Sequence, residues 1–239
     1  MIGKFNTEKC SVIHLGSNNS KQQYNLCGNL SRESENERDL GIRVDCSMKF
    51  TEQCNTAIKK VNSTLGLLRR TINCKSQHIL LKLYKALVRP KLEYCIQVWR
   101  PFLKKDIVNI EKVQHRATKM IEGCKHLKYE DRLTKTGLTT LEERRTRGDL
   151  IEVFKMVKGL NKSDYRKFFE IAKNSKTRGH KFKFVKNRSR LDIRKHFFTQ
   201  RVVEKWNKLP NSVVESQSLN CFKNSYDKHM SNSKNSTIS

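Results

Sequence analysis

No apolar run in the chain is long enough to span a bilayer, and no secretory leader is legible. The expectation is a protein of the cytoplasm and/or nucleus, with no membrane partner and with its thiols reduced. Cysteine pairs at metal-binding spacing are missing too. Among Cys10, Cys27, Cys46, Cys54, Cys74, Cys95, Cys124 and Cys221, no two stand as C-x-x-C, so neither a zinc ribbon nor a finger is written here. The nearest approach to a metal pair is Cys124-Lys125-His126 with His115 upstream, and these read as ordinary helix-end residues. No metal site and no cofactor are expected.

Catalytic signatures are equally scarce. There is no glycine-rich phosphate loop, no H-E-x-x-H and no G-x-S-x-G. The chain has no Asp-Asp dipeptide, whereas two-metal nucleotidyl transfer needs carboxylates converging on ions about 3.5–4 Å apart. Glu142, Glu143, Asp149 and Glu152 fall at helix-start or helix-face positions, where the helix macrodipole accounts for them. His14, His78 and His196 are scattered. Self-contained catalysis is not expected, nor is a small-molecule substrate.

Acidic residues are the last shortage, and they lead to what is present. There are 23 Asp and Glu against 50 Lys and Arg, a net charge of +27, far beyond what solubility needs. A field of that sign attracts polyanions, and nucleic acid (RNA or DNA, through its backbone) is the leading partner. The plainer alternative is a basic but inert surface, or a piece of a larger assembly. The charge is densest over 176–208, where twelve Lys and Arg meet only Asp192 and Glu204. Arg178, Lys181, Lys183, Arg188, Arg190 and Arg194 in this stretch are candidate phosphate contacts, against the reading of a merely solvated face. Phe198 and Trp206 stand at helical spacing and read as core. Phe182 and Phe184 alternate with basic residues and are the aromatics considered for base stacking.

Patterning predicts an α+β chain, mostly α: a small antiparallel β remnant at the N-terminus followed by an α-helical body. Residues 5–15, 24–30 and 39–45 read as strands, and the charged "SRESENERD" at 31–39 as a loop or hairpin tip. Cys54, Ile58, Val61, Leu65, Leu68 and Ile72 then recur at helical spacing. A second helix follows Ser76, with Ile79, Leu80, Leu83, Tyr84, Leu87 and Val88 inward and Pro90 interrupting it. Further helices fit 104–122, a short piece at "YEDRLTKTGL", and 141–159 behind the capping box Thr140-Leu141-Glu142-Glu143. Residues 164–172 suggest a short helix, 176–190 an edge strand or extended arm, and 193–210 a last helix stopped by Pro210. The Ser/Asn/Lys-rich 227–239 reads as a disordered tail.

One face of the first long helix stands out. Lys59, Ser63, Gly66 and Arg70 form a stripe, basic at its ends and small in its middle. Such a face would let a sugar-phosphate backbone approach closely, with Lys59 and Arg70 clamping phosphates. Glycine inside a helix costs about 1 kcal/mol relative to alanine, so Gly66 needs a reason. Close packing by another helix would serve as well as a ligand.

Several blocks in order carry a family resemblance. "FNTEKCSVIHLG" at 5–16 and "RDLGIRVD" at 38–45 resemble the segments after the catalytic loop in reverse transcriptases of non-LTR retrotransposons (LINE or jockey-like elements). "LYKALVRPKLEYCIQVWRP", "IEKVQHRATKMI", "LEERRTRGDLIEVFKM", "TRGHKFKF" and "RVVEKWNKLP" look like that family's downstream region. The resemblance implies that 1–48 is a remnant of the polymerase palm sheet, 49–125 a thumb-like helical domain, and 126–226 a basic post-polymerase region. It implies a thumb face at Lys59, Ser63, Gly66 and Arg70, and places Lys9 where the family has a lysine thought to assist nucleotidyl transfer. The family's aspartates lie upstream of the blocks matched here. The expectation is therefore a truncated relative of an RNA-directed DNA polymerase, with Mg2+ expected only for an intact member. It would be at most a non-specific nucleic-acid binder. The alternatives are a non-functional product of a decayed element, or a trans-acting partner of an intact reverse transcriptase.

Overall fold

The computed structural model describes residues 6–16, 18–172 and 179–235. The fold is α+β and mostly α, with short strand pairs at the N-terminal end. It divides into two units. The first runs to Leu141 but excludes Ile96–Val98; the second comprises Ile96–Val98 and the chain from Glu142 onward.

In the first unit the β portion is three separate two-stranded pairs rather than one antiparallel sheet. Strands β1 (Ser11–Val12) and β4 (Arg32–Glu33) pair in parallel. Strands β2 (Asn25–Leu26) and β3 (Asn29–Leu30) form a hairpin, as do β5 (Asn36–Asp39) and β6 (Ile42–Asp45). Both hairpins close through two residues with positive φ, Cys27-Gly28 (53° and 85°) and Leu40-Gly41 (45° and 84°). That backbone matches strand twist but is usually written Asn-Gly or Asp-Gly. The charged run expected to be a loop thus contains β4 and β5. Its polarity misleads because β5 is held by its backbone ladder to β6, while Ile42 and Val44 of β6 supply the apolar face.

Asp45 organises the passage from β6 into helix α1 (Thr51–Thr71). Its carboxylate accepts from the N–H of Ser47 at 2.9 Å and of Phe50 at 3.2 Å. This holds Phe50 in a left-handed conformation (φ 59°) at the helix start. Gln53 of α1 accepts from the Arg43 N–H at 2.9 Å, tying the helix to β6. Cys54, Ala57, Val61, Leu65 and Leu68 bury the expected stripe.

The next helix does not break at Pro90. It runs as α2 (Gln77–Leu83), a π-turn (Tyr84–Val88) and α3 (Arg89–Glu93). Proline offers no N–H to the preceding turn, and the wider turn ahead of it absorbs that loss. It also keeps a four-residue row, Leu80, Tyr84, Val88 and Leu92, on the buried side. Ile79 and Leu87, expected inward, face solvent instead. Helices α4 (Lys104–Lys119) and α5 (Tyr129–Thr136) complete the unit, α5 ending at Gly137 with φ +62°.

A polar node joins these helices. The Tyr84 hydroxyl donates to Gln114 at 2.5 Å, and Gln114 donates to the Tyr129 oxygen and the Thr139 carbonyl, both at 2.9 Å. Tyr129 donates to Glu111, which also accepts from the Leu141 N–H at 3.0 Å. Burial and the adjacent Glu111 carboxylate push the Tyr129 phenol far up, so it stays a donor. His115 stacks on the Tyr129 ring, and Cys124 is buried with Leu80 and Ile121. Among the described residues no three His, Cys, Asp or Glu side chains come together to hold a metal ion.

The second unit packs helix α6 (Leu141–Val157) from Glu142 on with α7 (Asp192–His196), α8 (Phe198–Arg201), α9 (Val203–Asn207), α10 (Asn211–Val214) and α11 (Leu219–Asn235). Phe198, Val202 and Trp206 are buried as their spacing predicts, although three short helices replace one. Residues 165–167 make a single 3-10 turn, after which Ile171 bridges Phe184.

Two differences from the sequence reading matter here. Phe184 is buried and Phe182 half-buried, so neither is an open stacking surface. The Trp206 indole donates to the Phe182 carbonyl at 2.7 Å, and the Asn207 amide clasps the Phe184 backbone at 2.9 and 2.8 Å. Those side-chain clasps on a strand-like segment have no spacing signature. Secondly, the tail from 227 continues as helix to Asn235 in the described residues. Tyr226 is buried, Met230 packs on the core, and Arg147 grips Asp227 with two bonds of 2.7 and 2.8 Å. Anchoring at that end extends a polar helix that composition alone would leave unfolded. No helix among the described residues is long and apolar enough to cross a membrane.

Candidate nucleic-acid interface

The first unit carries a groove of about 890 Å³. One wall is the second half of α1, presenting Asn62, Gly66 and Arg69. The other is the end of α4, presenting Arg116 and Lys119. The loop at 73–75 and the turn after α4 close its end, adding Lys75 and Lys125. Leu65, Met120 and Ile121 give it an apolar floor. Two contacts hold the walls. The Arg116 guanidinium donates to the Asn62 side chain at 2.9 Å, and the Glu122 N–H donates to the Lys75 carbonyl at 2.9 Å.

Arg69, Lys75, Arg116, Lys119 and Lys125 are all exposed, and none of them forms an ion pair among the described residues. Among the described residues, Glu122 is the one acidic residue lining the groove. These cations sit in the last turns of α1 and α4 or just beyond, where basic residues also complement the helix dipoles. Here the two ends face a shared concavity, so their charge is concentrated over it.

The four stripe residues of α1 separate. Gly66 lines the groove, whereas Lys59, Ser63 and Arg70 are exposed outside it. At 100° per residue, Asn62 and Arg69 fall on the side of Gly66 that turns towards Leu65, and Ser63 and Arg70 fall on the other. Arg69 rather than Arg70 is the cation that lines the groove with the glycine. No helix packs on Gly66: a Cβ added there would meet nothing within 4 Å. Gly66→Ala is therefore expected to raise the melting temperature, by about 1 kcal/mol of helix propensity. If a ligand backbone lies against Gly66, the same change lowers affinity, and a titration beside the melt reads both.

Cys74 is exposed in the groove, and hydrogen bonds from the Ser76 backbone and hydroxyl hold its thiol below the usual range. The groove thus carries an exposed thiol that can report on its occupancy.

In the second unit, Lys181, Arg188, Arg190 and Arg194 are exposed, and Lys183 is half-buried. Arg178 lies outside the described residues. Part of the charge density is used internally: Lys186 pairs with Glu204, whose carboxyl it holds below the usual range, and Lys195 pairs with Asp192 at 2.9 Å. Lys181 lies 5.5 Å from the centre of the Phe182 ring, and Arg194 5.5 Å from that of Phe197. Lys9 is exposed at the end of the 3-10 turn Thr7–Lys9.

Spacing along one helix points to Gly66 but not to Arg116, Lys119, Lys75 or Lys125. They join the site through the approach of two helices distant in sequence. The available signal is the basic last turn shared by α1 and α4. No family model, curated protein or solved structure matches the chain.

Proposed function

We propose that the protein binds nucleic acid without sequence preference, holding a sugar-phosphate backbone in the groove of the first unit. The observation that carries this is the set of five exposed cations around an open concavity, none in an ion pair among the described residues, with Gly66 leaving space on one wall. Backbone phosphates release counterions to such cations, whatever the base sequence. The sequence blocks resembling non-LTR retrotransposon reverse transcriptases support the same role, since a polymerase thumb grips its duplex by the backbone. The proposed role is to hold a strand, not to polymerise one.

Binding to a fluorescent duplex across a salt series tests it. Five phosphate contacts give a slope of log K against log salt of about −4 to −5, with scrambled sequences binding alike. A flat salt response, or strong sequence preference, would sink the proposal. Cys74 provides a local check. Its alkylation by iodoacetamide is expected to outpace that of exposed Cys27 and Cys221, and to slow severalfold under saturating duplex. An unchanged Cys74 rate at saturation places the strand elsewhere.

A further inference from the structure

We infer that the second unit carries a separate site for single-stranded nucleic acid, in which an unpaired base stacks on Phe197. Phe197 joins α7 to α8 in an extended conformation (φ −65°, ψ 147°). The residue after it, Phe198, is buried in the core, while Phe197 itself is 43% exposed. Its position is fixed from below. Arg201 donates to the His196 carbonyl at 3.0 Å, and is itself held by both oxygens of the buried Asp149 at 2.9 Å. The ring is therefore presented by a rigid support rather than by a free loop.

The charges on the ring and on the chain just before it suit one ligand. The Arg194 guanidinium lies over one face of the ring, 5.5 Å from its centre, so the base is assigned to the opposite face. Arg188 and Arg190 are exposed upstream and form no ion pair among the described residues. Asp192, the acid nearest in sequence, is taken by Lys195, which leaves the three arginines to an outside anion. A planar guanidinium forks onto phosphate and also stacks on flat π-systems. An aromatic face with one such group on it and others nearby in the chain binds bases of any identity with their phosphates alongside. A duplex keeps its base faces stacked inside, so only an unpaired strand satisfies ring and arginines together. This site goes beyond the groove of the first unit, which needs backbone alone. Leu191 and Ile193 are also exposed, and an anionic lipid surface is the competing occupant that the experiment must separate.

The test compares the full chain with Phe197→Ala and Phe197→Trp on four probes: an oligothymidylate, an abasic phosphodiester strand of equal length, a duplex, and phosphatidylserine vesicles. Phe197→Ala is expected to weaken oligothymidylate binding about tenfold. It should leave the abasic strand, the duplex and the melting temperature unchanged. Phe197→Trp should retain the affinity, with its added indole emission quenched on binding. Equal loss on the abasic strand, or no loss on oligothymidylate, overturns the inference. So does a Phe197→Ala effect confined to phosphatidylserine vesicles. Failure of the groove in the first unit would appear instead as duplex binding indifferent to charge reversal there, and would leave the Phe197 comparison intact.

Discussion

Arg201→Ala is expected to destabilise the second unit by about 3–5 kcal/mol. Arg201 donates to both oxygens of Asp149 at 2.9 Å, to the Ile96 carbonyl at 2.9 Å and to the Gln97 carbonyl at 3.3 Å. The Asp149 side chain is 2% exposed and that of Arg201 11%, so solvent screens the pair little. Truncation takes a two-pronged donor from a buried carboxylate and a donor from three carbonyls, Ile96, Gln97 and His196. Domain stabilities are only about 5–15 kcal/mol, so the unit loses much of its margin. Arg201→Lys keeps the charge but not the fork, and should fall between wild type and alanine. Replacing both partners by apolar residues, Asp149→Leu with Arg201→Met, should cost less than Arg201→Ala alone, because the buried carboxylate is removed together with the guanidinium. Urea melts followed by a probe in the second unit measure all three. A melt of Arg201→Ala that overlays wild type would show the pair to be energetically idle.

Charge reversal in the groove has the second large effect. Arg116→Glu with Lys119→Glu removes two phosphate contacts, each worth roughly a power of ten at 0.1 M salt by counterion release. Duplex affinity should fall about a hundredfold, and the salt slope should flatten by about 2. Both residues are exposed, so the fold should be preserved, apart from the loss of the Arg116 bond to Asn62. Lys59→Glu with Arg70→Glu is the matching control. It changes the same charge on α1, outside the groove. If the two double variants lose affinity equally, the strand follows the outer face of α1 or responds only to net charge. A much larger loss at Arg116 and Lys119 assigns it to the groove.

What the sequence discloses divides along a physical line. The α1 stripe, the buried Phe198, Val202 and Trp206, and the stop at Gly137 follow from local periodicity and backbone preference, which neighbouring residues write directly. Leu40-Gly41 is a turn whose first residue carries no turn signal, and β5 is a strand with no apolar face; both are imposed by pairing with β6. The burial of Phe184 depends on an Asn207 amide and a Trp206 indole that come from a later helix. The site shows the same division. Gly66 is conspicuous within its own helix, but Arg116 and Lys119 become its neighbours only once α4 folds against α1. Phe197 and Phe198 are adjacent and chemically identical, and only the path of the backbone into α8 sends one to solvent and one to the core.

The membership of Ile96–Val98 in the second unit also has a consequence in time. Ile96 fills the space that a Cβ at Gly148 would occupy (2.6 Å from its Cδ1), and its carbonyl is held by Arg201 from 105 positions further along the chain. During synthesis those three residues leave the ribosome long before Arg201 exists. The second unit therefore cannot close as its own stretch of chain emerges in isolation; it must capture a segment made earlier, and such non-local closure is slow. The same threading means that no single cut in the chain separates the two units. A cut before Glu142 leaves the Arg201 fork two carbonyls short, and a cut after Cys95 leaves Trp99–Leu141 severed from the helices it packs with.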